Sequence, residues 1–170
     1  VKDYLIHKNY EVKIRDLYKL KFNPILIEDN HTSFYQTNLP KEIQLEQNEI
    51  SWAENLIFIF PSWWCGMPAM MKGYFDRVFT NGFAFRFDKS EVDGLLKGKK
   101  AVVFQTTSQT EEFMKPNQLV SAMETAMDIG IFEYCGIDVI THKFFFSVPH
   151  VDKESREKML KEAEGVVDIL

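Results

Sequence analysis

The residues best suited to chemistry lie in a short loop where two adjacent tryptophans stand between two prolines. This loop spans residues 61–68 and includes Trp63, Trp64 and Gly66. Prolines stiffen the backbone, and glycine permits a close approach or a positive φ. Such a loop suits a flat aromatic ligand, because its rings offer stacking area and its backbone groups can bond a polar edge. Composition leaves open the alternative that both tryptophans simply pack over a sheet edge.

A second polar loop follows a later apolar run. It consists of Thr106, Thr107, Ser108, Gln109 and Thr110. Hydroxyls and backbone amides in such a loop can bind carbonyl or phosphate oxygens. The alternative is an ordinary polar connection between a strand and a helix.

Other polar residues are weaker candidates. Lys72, Asp76 and Arg77 are spaced as a solvated or locally paired helix face. Cys65 has no basic residue close to it, so it fits a small packing residue better than a reactive thiol. The histidines are scattered and predict no metal site. They are His7, His31, His142 and His150.

Several function classes lose support from missing motifs and from the cysteine pattern. The sequence has no GxGxxG, no Walker lysine loop and no GxSxG elbow, which disfavours Rossmann dinucleotide domains, P-loop NTPases and serine hydrolases. Its two cysteines, Cys65 and Cys135, are far apart and lack a CxxC motif. A reducing cytoplasm is therefore the simplest compartment.

The elements that must position the loops alternate between strand and helix. The apolar run at residues 56–60 is typical of a strand buried on both faces. The other predicted elements follow from apolar periodicity and from capping residues. They are a helix end at 2–8, strands at 11–17, 100–106 and 137–148, and helices at 40–54, 68–80, 117–134 and 152–170, with a loop at 22–38. Strict alternation predicts an α/β sandwich with a parallel sheet, whose ligands bind beyond the carboxyl ends of the strands.

Composition fits one globular domain over residues 1–170. Apolar residues make up 45% and charged residues 26% of the chain, as in ordinary globular proteins. The net charge of −5 disfavours a general nucleic-acid binder. The longest apolar run is far too short to cross a bilayer, so we expect no membrane insertion.

The central part of the sequence resembles the NAD(P)H:quinone oxidoreductase family, which has the flavodoxin-like fold. Residues 58–79 match the pattern F-P-x-x-W-x-x-x-P-A-x-x-K-G-x-x-D-R-V-F. Residues 82–85, 97–101 with 106–107, and 134–137 continue the likeness, which covers essentially the whole chain. The resemblance implies a three-layer α/β/α sandwich with a parallel sheet.

The resemblance also implies a cofactor and a reaction. A flavin, FMN or FAD, is expected to be bound by the two loops, and NAD(P)H is expected to reduce flavin N5 before a quinone takes the electrons in the same pocket. The implied cofactor-binding residues are Pro61, Ser62, Trp63, Trp64, Cys65, Thr106, Thr107, Ser108 and Gln109. Gly66, Phe85 and Phe87 are implied to form the substrate pocket, with the phenylalanines commonly supplied by the partner subunit of a homodimer.

The sequence departs from the family pattern in three places. Ser108 and Gln109 replace two glycines in the second loop, and Met114 stands where the family often has a tyrosine that helps stabilise the reduced flavin. We therefore assign no catalytic side chain. The family also begins with a strand and a phosphate-binding loop that residues 1–170 lack, and that strand lies between the next two in the sheet. We expect that the native protein has an N-terminal segment missing from this sequence.

Two other functions are also compatible with the sequence. One is a flavodoxin-like electron carrier, which the tryptophan loop disfavours. The other is a regulatory subunit that uses the flavin fold to modulate a membrane transport protein, which the substitutions in the second loop favour slightly. NAD(P)H oxidation with a quinone separates an enzyme from a regulator.

Overall fold

Three strands form the parallel sheet that carries both candidate loops. The computed structural model describes residues 1–26, 39–88 and 91–170. Strands β1 (Asn55–Pro61), β4 (Lys100–Thr106) and β5 (Asp138–Phe145) pair in the order β1-β4-β5. A separate antiparallel hairpin joins β2 (Phe85–Asp88) to β3 (Glu91–Gly94). The chain thus has the flavodoxin-like α/β architecture that the sequence predicts.

Helices cover both faces of this sheet. The helices are α1 (Lys2–His7), α2 (Lys41–Trp52), α3 (Ala69–Val78), α4 (Glu111–Met114), α5 (Leu119–Glu124) and α6 (Lys153–Val166). Helices α2 and α3 pack with one face of the sheet in the larger core cluster, and α1 and α6 pack with the other face. The predicted cap of the last helix is confirmed, because Asp152 accepts a hydrogen bond of 2.7 Å from the Ser155 amide.

Phenylalanines fill the larger core cluster. The ring of Phe58 on β1 lies 5.3 Å from that of Phe75 on α3 and 5.0 Å from that of Phe132. Such tilted aromatic pairs add about 0.5–1.5 kcal/mol each beyond the burial of area. Several of the 15 phenylalanines therefore stabilise the face of the sheet under α3, the helix that follows residues 61–68.

The predicted strand at residues 11–17 is wrong. Residues 11–16 have no regular secondary structure, residue 17 begins a turn, and within the described ranges this stretch belongs to no sheet. Alternating Val12 and Ile14 with charged residues gives a strand-like periodicity, yet a strand also needs a partner whose backbone groups complete the ladder. Part of the predicted loop at 22–38, including His31, lies outside the described residues.

The helix predicted at residues 117–134 is divided into three pieces. Helix α5 passes into a π-helical segment, Thr125–Phe132, and then into a 3₁₀ turn, Glu133–Cys135. The hairpin β2–β3 and helix α4 were not predicted. Gly94 explains the hairpin's position, since a Cβ there would lie 2.4 Å from the Cys135 backbone. Only a glycine lets the hairpin approach the 3₁₀ turn so closely.

Candidate active site

The carboxyl ends of the three parallel strands meet at one edge of the sheet. The register places Pro61 of β1 opposite Thr106 of β4, and Thr106 opposite Phe145 of β5. Hydrogen bonds continue the ladder beyond the strands, from the Ser62 amide to the Thr106 carbonyl (2.7 Å) and from the Thr107 amide to the Phe145 carbonyl (2.8 Å). Both predicted loops therefore begin side by side where an open α/β sheet binds its ligands.

The first loop contains a tight turn, residues 63–66, which we name the tryptophan turn. Trp63 and Gly66 close it with two backbone hydrogen bonds of 2.9 and 3.1 Å. Its two central residues, Trp64 and Cys65, both have left-handed backbones, with φ of 52° and 54°. A residue with a Cβ pays about 1–2 kcal/mol for this conformation. The sequence left open a close approach or a positive φ at Gly66, and the structure shows neither: Gly66 has no positive φ, and a Cβ there would meet only the Trp63 carbonyl at 3.8 Å.

The tryptophan turn displays its rings. Trp64 is fully exposed and Trp63 is about half exposed, at 56%. The alternative that both tryptophans pack over the sheet edge is therefore wrong for Trp64. A strained turn that holds a large apolar ring in water is the kind of feature found where a protein binds a ligand.

The second loop, residues 106–110, is held in place by hydrogen bonds. We name it the threonine loop. Thr107 is buried, and its hydroxyl donates a 2.9 Å hydrogen bond to the Gln109 carbonyl. That carbonyl also accepts from the Ser147 amide at 3.0 Å, which joins the loop to the segment after β5. Thr110 caps α4. Only Ser108 and Gln109 remain exposed with side chains free to face a ligand.

A chain of buried and partly buried polar contacts runs beneath the two loops. Ser62 and Gln105 both donate to the Met123 sulfur, at 3.5 and 3.1 Å. The Gln105 Oε1 lies 3.0 Å from His142 Nε2, and His142 Nδ1 lies 2.9 Å from Asp128 Oδ1. This polar chain links the first loop to the π-helical segment. Sequence reasoning missed it, because its members are far apart along the chain and belong to no motif.

The predicted pocket phenylalanines form an aromatic cluster on the hairpin. Phe85 is buried in the main core, whereas Phe87 is 48% exposed. Both rings contact Tyr134, with centroid distances of 5.2 Å from Phe85 and 6.5 Å from Phe87. Phe85 thus supports the hairpin, and Phe87 is the ring that can face a ligand or a partner.

The weaker candidates have structural explanations. Lys72 pairs with Asp76 at 2.5 Å on the exposed side of α3, as predicted. Arg77 is buried, donates to the Asn23 carbonyl and pairs with Glu42 at 2.6 Å. No cluster of potential metal ligands occurs among the described residues.

The two thiols lie in opposite environments. Cys65 is exposed in the tryptophan turn, and Cys135 is buried under the hairpin. Burial raises the pKa of the Cys135 thiol to about 12. Cys135 is therefore inert at neutral pH, because only a thiolate is a good nucleophile.

Comparison with known proteins agrees with this architecture. The family described as having a flavodoxin-like fold matches residues 1–167. A Haemophilus influenzae protein named as an uncharacterized NAD(P)H oxidoreductase is 34% identical, over 88% of this chain and 74% of its own length. The guinea-pig (Cavia porcellus) NAD(P)H dehydrogenase [quinone] 1 is 30% identical, over 92% of this chain and 64% of its own length.

A solved structure of a related protein has the same fold. The NAD(P)H:quinone oxidoreductase of Methanothermobacter marburgensis superposes with a TM-score of 0.78 and is 28% identical, covering 89% of this chain and 76% of the other. The chain belongs to the NAD(P)H:quinone oxidoreductase family. Membership indicates an oxidoreductase enzyme.

Two departures from the pattern of this family lie at different depths in the structure. Ser108 and Gln109 are exposed, so their side chains extend from the threonine loop instead of crowding its interior. Met114 is buried beside Met123 and Phe144 in a small third core cluster. It packs under the loops and takes no part in their exposed surface.

The residues of this edge fit a flavin. The exposed indoles of the tryptophan turn provide a surface for an extended aromatic ring, and the exposed amide and hydroxyl of the threonine loop provide polar partners. Within the described part of the chain, no helix is both long enough and apolar enough to cross a membrane.

Proposed function

We propose that this protein is a flavin-dependent NAD(P)H oxidoreductase that reduces quinones or similar aromatic electrophiles by a ping-pong mechanism. The observation that carries the proposal is the tryptophan turn, whose strained backbone displays Trp64 at the carboxyl edge of a flavodoxin-like sheet. The names of the relatives support the donor and the acceptor class.

The cofactor, FMN or FAD, would be held by both loops. Pro61, Ser62, Trp63, Trp64 and Cys65 would form the apolar side of the site. Thr106, Thr107, Ser108 and Gln109 would form the polar side. When bound, the flavin supplies two-electron transfer from NAD(P)H to the acceptor, which is chemistry that no side chain of this site provides.

The chain's own residues contribute position and exclusion of water. Trp64 presents an apolar ring that shields a bound aromatic surface. The Thr107 hydroxyl keeps the threonine loop in one shape, because it satisfies the Gln109 carbonyl. The polar chain from Ser62 to Asp128 fixes the base of the first loop, and buried networks of this kind rigidify a site.

The pocket for the acceptor would include Gly66 and the aromatic rings of the hairpin. Phe87 is exposed and Phe85 supports it from the core. We propose a homodimer in which the exposed face of the hairpin closes the partner's pocket. The two free cysteines support a cytoplasmic location.

An absorbance assay tests the function. The purified protein is incubated with FMN or FAD, freed of excess cofactor and treated with NADH or NADPH and then with a quinone. We expect bound flavin that is bleached by the nicotinamide and restored by the quinone. Bound flavin without NAD(P)H oxidation would favour the regulatory subunit, and accumulation of a one-electron-reduced flavin would favour the electron carrier.

A further inference from the structure

One residue of the polar chain, His142, has hydrogen-bond acceptors on both sides of its ring. Its Nδ1 lies 2.9 Å from Asp128 Oδ1, and its Nε2 lies 3.0 Å from Gln105 Oε1. The side chain is only 2% exposed, so solvent barely reaches either nitrogen. The ring also stacks on Phe144, with 4.4 Å between the ring centroids and 11° between the planes. These contacts hold the imidazole in one position.

The groups on either side of Gln105 and His142 only accept hydrogen bonds. On one side is the carboxylate of Asp128, and on the other is the thioether sulfur of Met123. The Gln105 Nε2 donates to that sulfur at 3.1 Å, which leaves the Gln105 oxygen for His142. Both ring nitrogens must therefore carry a proton if every contact is to be a hydrogen bond. The arrangement is that of an imidazolium paired with a carboxylate.

The charges around His142 favour this cationic form. Asp128, on the π-helical segment, is its direct ionic partner. A pocket beside the ring is lined by charged residues of α4, α5, β5 and α6, namely Glu111, Lys115, Glu124, Lys143 and Glu162. Two of these carboxylates pair with the two lysines, and the third gives the pocket an excess negative charge. The stacked face of Phe144 also attracts a cation.

A neutral ring cannot make all of these contacts. Nδ1 keeps its proton, because its hydrogen bond to a carboxylate is charge-assisted. When Nε2 gives its proton to solvent, its lone pair faces the oxygen of Gln105. The Gln105 amide then turns over, so that its NH₂ group donates to Nε2 and its oxygen points at the Met123 sulfur. The Ser62 hydroxyl, which donates to the same sulfur at 3.5 Å, loses a fixed acceptor because a methionine side chain moves easily.

We propose that His142 is a positioning residue whose proton sets the geometry of the first loop. In the cationic form, the polar chain joins Ser62 to the π-helical segment. In the neutral form, the chain is broken at Gln105 and the start of the first loop is no longer held. The consequence for binding rests on the proposed function, in which Ser62 helps to hold the flavin. Flavin affinity therefore falls as the pH rises and His142 loses its proton.

Nuclear magnetic resonance of the cofactor-free protein tests the switch itself. The nitrogen shifts of the His142 ring and of the Gln105 side-chain amide are followed from about pH 5 to about pH 9, which brackets the titration of histidines. We expect an imidazolium at the acid end, and changes at the Gln105 side chain and the Ser62 backbone amide that share the midpoint of the ring. A ring whose charge does not change over this range would overturn the proposal, as would a Gln105 signal that does not follow the ring.

Two variants separate positioning from a merely structural role. Asp128→Asn replaces the carboxylate with an amide that can donate to Nδ1, so a neutral ring with its proton on Nε2 satisfies every contact. We expect the Gln105 and Ser62 signals of this variant to be independent of pH, and a pH response equal to that of the parent protein would contradict the switch. His150→Gln removes an exposed histidine outside the polar chain and should keep the response of the parent protein.

Titration with FMN tests the consequence at the site. Above the midpoint of His142 we expect the affinity for FMN to be about fivefold lower than below it, since one hydrogen-bonded anchor of the loop is lost. Asp128→Asn should lack this decrease, and it controls for titration of the FMN phosphate. An equal decrease in Asp128→Asn and the parent protein would overturn the link between His142 and the site. Absence of FMN binding at every pH would contradict the proposed function instead, and the resonance data would still decide the role of His142.

Discussion

The tryptophan turn and the threonine loop start side by side at one sheet edge, yet they use their side chains in opposite ways. The threonine loop satisfies its polar groups internally and is bonded to β5 and α4. The tryptophan turn keeps a left-handed backbone and exposes a large ring. The comparison shows that the threonine loop keeps the site rigid, whereas the tryptophan turn provides an exposed surface for a ligand. Loss of a polar contact in the threonine loop should lower stability, whereas loss of the exposed ring in the tryptophan turn should weaken binding.

The largest effect on stability is expected at the polar chain that supports both loops. His142→Phe leaves the Gln105 oxygen and the Asp128 carboxylate without their partner in a buried region. Unfolding in urea should show a loss of about 3 kcal/mol, since unsatisfied buried polar groups are costly. His150→Phe, in the exposed segment after β5, is the matched control. Equal stability of both variants would show that the polar chain does not support the loops.

The threonine loop should respond more mildly. Thr107→Val keeps the shape of the side chain and removes the hydroxyl that donates to the Gln109 carbonyl. That carbonyl still accepts from Ser147, so we expect a loss of about 1 kcal/mol in the free energy of unfolding. Ser108→Ala, at an exposed position, should lose little. If Thr107→Val is neutral in a denaturant titration, the loop is held by its backbone alone.

The strain in the tryptophan turn can be measured by relieving it. Cys65→Gly removes a Cβ from a left-handed residue and should stabilise the folded protein by about 1 kcal/mol. Cys65→Ala keeps the Cβ and controls for loss of the thiol. Thermal unfolding with the glycine variant no more stable than the alanine variant would argue against strain at this position.

The smallest effect at neutral pH concerns the two thiols. The pKa of Cys135 is raised to about 12 from an ordinary value of 9.0, so the unfolded chain loses this proton first as pH rises. The stability that the buried, protonated Cys135 thiol contributes is therefore fully present below pH 9 and is lost as the pH rises from 9 towards 12. Cys135→Ala should weaken this decline. A thiol reagent should label Cys65 and spare Cys135 in the folded protein, and equal labelling would contradict the burial of Cys135.

The spacing of apolar residues, together with the capping and turn residues between elements, predicted much of the fold. The strands β1 and β4 and helices α2, α3 and α6 follow from apolar runs and capping residues that act locally. Residues 11–16 have the same strand-like pattern but form no ladder, because pairing depends on a neighbouring strand that their own sequence does not encode. The hairpin was missed because its position depends on the close contact of Gly94 with Cys135.

The site was predictable where it depends on residue type at a strand end. Two tryptophans between prolines, directly after an apolar strand, were sufficient to locate the tryptophan turn, although the expectation that this strand is buried on both faces is wrong at Ile59, which is 58% exposed. The polar chain through His142 was not predictable, because it joins residues from β4, α5, the π-helical segment and β5. The left-handed backbone at Trp64 was also missed, since the sequence places a glycine nearby that does not take that role.

The central claim is that the tryptophan turn binds the flavin, and one comparison tests it most directly. Trp64→Ala and Trp52→Ala are titrated with FMN and with FAD while flavin fluorescence is followed. Trp52 is 42% exposed near the amino end of β1, far along the strand from the site, so it is a matched control. We predict about tenfold weaker binding for Trp64→Ala, in line with the loss of one stacked ring, and unchanged binding for Trp52→Ala. Equal affinity of both variants and the parent protein would contradict the claim.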